Sequence, residues 1–100
     1  MTPEQRMRLA RKNSIRDADP HLLTLDVLRI ALRKRDSDLS LKLFEAKRSI
    51  YLAIESGRRD EASALINTLR AIAGVVPENK QLAIAIDGLA EVVVGMGSGS

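Results

Sequence analysis

"NSIRDADP", Asn13 to Pro20, decides how the first third of this chain folds, because the residues on either side of it read as helix. Upstream, Thr2-Pro3-Glu4-Gln5 has the form of a capping box: a Thr N-cap, a proline where no N–H is needed, and a Gln that reaches back. Downstream, Leu22 to Leu32 is apolar at most positions. Between them, Asn, Ser and Asp compete for nearby backbone hydrogen bonds, and Pro20 removes a donor. The stretch therefore reads as a connector, with Asp19-Pro20 capping a new helix. On that reading the first helix covers about residues 3–12 and the second about 20–35.

The same punctuation continues outward. "RDSD" (35–38) breaks the chain, with Asp36 or Ser37 as N-cap of a third helix over about 38–56. Gly57 suits the left-handed position just past that helix. A fourth helix starts near Asp60 and covers about 60–75, and Pro77-Glu78 opens a fifth over about 78–95. No run alternates with period two as a strand does. The expected fold is therefore all-α: a five-helix antiparallel bundle or a short helical solenoid, one domain over 1–96. "GSGS" at 97–100 reads as a flexible linker tail.

Composition agrees with a small globular domain. Of 100 residues, 45% are apolar and 29% charged, which is not a disordered chain. Phe44 and Tyr51 are the aromatic residues, so the core is aliphatic. The absence of Cys removes disulfides, thiolate metal sites and Cys nucleophiles, and leans the expectation to a cytoplasmic protein, or a recombinant one if designed. The basic N-terminus lacks the apolar run of a signal peptide, and Leu82 to Met96 is too short and too charged to span a membrane. Net charge is +3 and unevenly placed: residues 1–48 carry twelve Lys/Arg against seven Asp/Glu, residues 49–100 four against six.

Placing residues at about 100° per position separates core faces from surplus apolar faces. The third helix turns Leu39, Leu43, Ala46, Ile50, Ala53 and Ile54 inward; Phe44 and Tyr51 share a second stripe, Leu41 and Leu52 a third. The fourth has its core arc at Ala62, Leu65, Ile66, Leu69, Ile72, Ala73 and Val76, with Ala64, Ala71 and Val75 behind it. In the fifth, Leu82, Ala85, Ile86, Leu89, Val92, Val93 and Met96 form the core arc. Ala83, Ala90 and Val94 flank it, and Ile84 stands apart. The second helix shows a single coherent polar strip, Asp26, Arg29 and Arg33. So much surplus apolar surface marks interfaces more often than not. Phe44, Tyr51, Leu41, Leu52, Ala64, Ala71, Val75, Ala83, Ile84, Ala90 and Val94 are the interface candidates.

Catalytic chemistry has no carrier here. His21 stands alone without a second His or any Cys, and reads as a surface histidine in a capping turn. The acidic pairs Asp36/Asp38, Asp60/Glu61 and Asp87/Glu91 fall at helix starts or on polar faces, where the helix macrodipole alone accounts for the first-turn acids. No Gly-rich phosphate loop and no Ser–base pair is present, so no cofactor, metal or small-molecule substrate is expected. Arg6, Arg8, Arg11, Lys12 and Arg16 place five positive charges within eleven residues, a possible set of phosphate contacts. No aromatic side chain interleaves them to stack on bases, so nucleic acid is the subordinate expectation.

Two resemblances add to this reading. "SGRRDEASALI" (56–66) resembles the helix junction of a tetratricopeptide repeat, with Gly57 and Ala62 five apart and Ile66 four further on. The resemblance implies a tight antiparallel hairpin there. "RDSDLSLKL" (35–43) also finds a looser echo in "RRDEASALI" (58–66). Capped helices, short loops, an aliphatic core without Cys or Trp and a terminal "GSGS" resemble computationally designed helical proteins. That resemblance implies a built oligomer interface. The expected function is structural self-assembly into a closed symmetric homo-oligomer, of which a cage or capsid-like shell is one form. The alternatives are an acidic or nucleic-acid partner on the basic N-terminus, and a designed monomeric scaffold without function.

Overall fold

Residues 13–20 do not break the chain. The computed structural model describes residues 2–77 and 79–96, apart from the side chains of Ala10 and Arg11. Among these residues it contains the helices α1 (Pro3–Arg33), α2 (Ser37–Glu55), α3 (Arg59–Val75) and α4 (Lys80–Gly95). The fold is all-α, but the two expected N-terminal helices are one helix of 31 residues. The glycine-serine tail expected at 97–100 lies outside the described residues.

Packing explains why local propensity loses at Pro20. Ile15, Ala18, Leu22, Leu25, Leu28 and Leu32 recur every three or four residues straight through the expected connector. Ala18 and Leu25 are fully buried, Leu22, Leu28 and Leu32 nearly so, and Ile15 packs against the same core. Keeping that face in phase requires the helix to run through. The polar residues of the stretch, Asn13, Arg16, Asp17 and Asp19, are exposed, and so is the proline ring. A proline inside a helix costs about 3 kcal/mol. Each well-buried Leu offsets about 1.5–3 kcal/mol, so the continuous helix wins. Thr24 Oγ1 donates to the Pro20 carbonyl at 3.0 Å, a local bond within the turn that follows.

The helices pack in the cyclic order α1, α2, α3, α4 and back to α1. That closure makes an antiparallel four-helix bundle and excludes the open solenoid, whose first and last helices would stay apart. The core is aliphatic as expected, with Leu25, Leu43, Ile50, Ile54, Leu69, Leu82, Ile86 and Leu89 as its largest fully buried side chains. Val92 and Met96 join it only in part.

Several termini follow the sequence reading. The Thr2–Gln5 capping box is formed in both directions, at 3.0 and 3.2 Å. Asp36 caps α2 by accepting from the Leu39 N–H at 3.0 Å. Gly57, with φ 71°, makes the left-handed step of the tight α2–α3 hairpin. The last helix is a correction: it begins at Lys80 with Asn79 as its cap, accepting from the Leu82 N–H at 3.2 Å, and Glu78 lies outside the described residues.

One length does not match the others. α1 has 31 residues against 19, 17 and 16 for α2, α3 and α4. At 1.5 Å per residue α1 is about 46 Å long and its neighbours about 24–28 Å. The molecule measures 49 × 18 × 18 Å. The N-terminal part of α1 therefore stands clear of the bundle as an arm of about 18 Å. Its exposed Met7 and Leu9 agree with that placement.

Candidate interaction surfaces

The α1–α2 seam is polar, which reverses the sequence reading of α1. Asp26 and Arg29, expected on the solvent side, turn toward α2 and are half-buried. Asp26 Oδ2 accepts from Lys47 Nζ at 2.7 Å, and its other oxygen lies 3.6 Å from Arg29 Nε. The Arg29 guanidinium sits 4.8 Å above the centre of the Phe44 ring, a cation–π contact. Ser40, the buried polar residue of α2, donates its Oγ hydrogen to the Arg29 carbonyl at 2.9 Å. Arg33 alone of the expected polar strip remains exposed.

With its polar strip turned inward, α1 presents apolar side chains to solvent. Leu23, Val27 and Ile30 are 65%, 60% and 57% exposed and follow one another at the i, i+4, i+7 spacing of a single helix face. No sequence candidate lay on this face. The missed signal was the period itself: once Ala18, Leu22 and Leu25 are core, Leu23, Val27 and Ile30 fall on the opposite side.

The expected interface candidates divide into two groups. Phe44 and Tyr51 are half-buried, Phe44 beneath Arg29 and Tyr51 against the core, so neither lies on a free outer face. Ala90 also packs against the core in part. Leu41, Leu52, Val75, Ile84 and Val94 are exposed, as are Ala64, Ala71 and Ala83. They are spread over three helices. On the outer face of α2, Glu45 and Arg48 separate Leu41 from Leu52. Arg70 of α3 holds Asp87 of α4 at 3.0 Å on the flank between the Ala71 and Val94 stripes.

The basic cluster lies on or at the root of the projecting arm. Arg6, Arg8, Lys12 and Arg16 are exposed, and the Arg11 side chain falls outside the described residues. Arg8, Lys12 and Arg16 succeed each other at i, i+4, i+8, so they form one stripe. Glu4 lies 3.7 Å from Arg8, an exposed pair of little energetic weight.

His21 is a further correction. It sits inside α1, half-buried, with its imidazole over the Cα of Gly88 in α4. Gly88 has no side chain, which admits the ring within the bundle. No group of three metal-ligating side chains gathers among the described residues. An open depression between the two turns at the far end is lined by Leu32, Arg35, Val76, Asn79, Lys80 and Gln81. No carboxylate, imidazole or hydroxyl stands among those residues, so they offer no acid–base pair.

No helix among the described residues is long and apolar enough to cross a membrane. The molecule belongs to the class of closed antiparallel four-helix bundles, distinguished by one over-long helix with an apolar outer face and a basic arm. No protein-family model, curated protein or solved structure matches the chain.

Proposed function

We propose that this chain is a self-associating helical subunit, with a structural and not a catalytic role, whose outer α1 face meets a second copy. One observation carries the reading: α1 exposes Leu23, Val27 and Ile30 while turning Asp26 and Arg29 toward α2. A monomer is better served by the reverse arrangement, and contiguous apolar surface on a soluble protein marks interfaces. Completing the burial of these side chains stabilises by about 1–2 kcal/mol each, so six across a pair supply about 6–12 kcal/mol. Association costs about 4–15 kcal/mol, so the contact is of micromolar order or weaker unless further surfaces join it. Leu41, Leu52, Val75, Ile84 and Val94 provide the second contact that a closed ring or shell requires. Sedimentation equilibrium from 1 to 500 µM, on the order of the affinity range just derived, tests the reading. Self-association that Val27→Glu abolishes supports it, and an 11 kDa species throughout overturns it.

A second reading is favoured by the arm. Its basic stripe stands clear of the bundle, where it can lie along a polyanion such as nucleic acid. Fluorescence anisotropy with a DNA or RNA duplex tests it. Binding that falls steeply with salt and is weakened by Arg8→Gln with Lys12→Gln supports it; no binding at low salt removes it. If both tests are negative, the chain is an inert monomeric scaffold.

A further inference from the structure

We infer that the second copy packs against α1 antiparallel, about a two-fold axis at Val27, with Asp19 of each copy facing Lys34 of the other. This inference rests on the self-association reading and specifies its geometry. From Asp19 to the C-cap Lys34, five exposed residues share the outer face of α1 within an arc of about 80°: Asp19, Leu23, Val27, Ile30 and Lys34. Their order is acid, apolar, apolar, apolar, base, and their spacing of 4, 4, 3 and 4 residues is close to palindromic. Turned end for end, Leu23 meets Ile30, Val27 meets its own copy, and Asp19 meets Lys34 at both ends. A parallel pair in register instead opposes Asp19 to Asp19 and Lys34 to Lys34, and like charges in contact repel.

Arg16, one turn before Asp19, is exposed on the same face. The charges on the face also argue against other occupants. Asp19 interrupts the bases between Arg16 and Lys34, and the three side chains that follow it are apolar, which suits neither a polyanion nor an anionic membrane surface. In this register each basic arm runs past the end of the other bundle, leaving Pro3–Asn13 outside the contact.

Charge exchange tests the arrangement. Asp19→Lys and Lys34→Glu alone each weaken dimerisation by about tenfold, since each replaces two facing pairs with repulsions. The double variant Asp19→Lys/Lys34→Glu restores facing opposite charges and returns the constant to within about twofold of the parent. Cross-linking gives an independent readout, clean because the chain has no cysteine. A short bismaleimide joins Val27→Cys to itself and Leu23→Cys to Ile30→Cys in a mixture, but not Leu23→Cys to itself. A dimer that ignores the charge exchange and cross-links Leu23→Cys to itself overturns the antiparallel register while leaving self-association standing. A chain that stays monomeric, as it would if a different protein covers this face, overturns both.

Discussion

The imidazole of His21 in α1 rests directly on the bare Cα of Gly88 in α4, in the space a Cβ at Gly88 would occupy. Gly88 makes room for the ring by having no side chain. Gly88→Ala forces the ring aside at a cost of about 1–3 kcal/mol, against about 1 kcal/mol gained from helix propensity. The expected outcome is a lower Tm, with His21→Ala in the same chain recovering most of it. A double-mutant cycle by thermal unfolding measures the coupling. A Tm raised by Gly88→Ala alone would show that the ring does not occupy that space.

Pro20→Ala should stabilise the protein by about 1–3 kcal/mol, because it restores the N–H that proline denies to the Arg16 carbonyl. For a domain of this size that raises Tm by about 4–8 °C per kcal/mol. The sign is diagnostic. Were Pro20 the first residue of a separate helix, it would sit where proline is favoured, and its replacement would bring no gain. Calorimetry on the two chains settles which situation holds.

This same position shows where sequence reasoning succeeds and where it stops. The core arcs of α2, α3 and α4 were readable because each helix carries a coherent inward period, and for α2 the caps Asp36 and Gly57 also mark its ends. At residues 13–20 two signals conflicted. Asn13, Ser14, Asp17, Asp19 and Pro20 argue locally for a break, while Ile15, Ala18, Leu22 and Leu25 hold phase across it. The phase wins because burial is worth more than propensity, but its value depends on α2 and α4 being there to pack against. Asp26 and Arg29 were misplaced for a related reason. Charge was assigned to solvent, although Lys47 and the Phe44 ring are waiting on α2 to receive it. The outer apolar face of α1 follows only once that inversion is known.

Asp26→Ala should cost about 1–2 kcal/mol, more than an exposed ion pair, since Asp26 and Lys47 are only 30% and 22% exposed and the bond measures 2.7 Å. It also leaves Arg29, whose Nε is buried without a hydrogen bond, lacking its nearest carboxylate. Removing both charges with Asp26→Leu and Lys47→Met should cost less than Asp26→Ala alone, because Lys47 is then no longer left without its carboxylate. Urea titrations of the three chains check the order; equal losses in both variants would reduce the seam to packing.

The outer faces are not equivalent. Val27→Glu places a charge between Leu23 and Ile30, whereas Val94→Glu or Ala71→Glu changes a face already interrupted by Arg70 and Asp87. Association measured by light scattering should therefore fall at least tenfold with Val27→Glu, the equivalent of about 1.4 kcal/mol. The other two should matter only for assembly beyond a dimer. Because all three positions are exposed, far-UV circular dichroism should stay unchanged. Dissociation by Val94→Glu with no response to Val27→Glu would move the interface to α4.

The arm of α1 is helical although it buries little: Met7 and Leu9 are about half exposed. An isolated helix of about twelve residues is marginal in water, chiefly because its first turn is costly to nucleate. The arm avoids that step. The bundle-packed part of α1 serves as its nucleus, and the Thr2–Gln5 capping box closes the free end. Two consequences separate the arm from the bundle. Deleting residues 2–13 should remove helical circular-dichroism signal yet change unfolding free energy by no more than about 0.5 kcal/mol. Thr2→Ala should fray the arm, accelerating amide exchange over residues 5–12 while residues 18–33 keep their protection. A large loss of stability on deletion would mean that the arm packs against the bundle, and the projecting geometry would have to be abandoned.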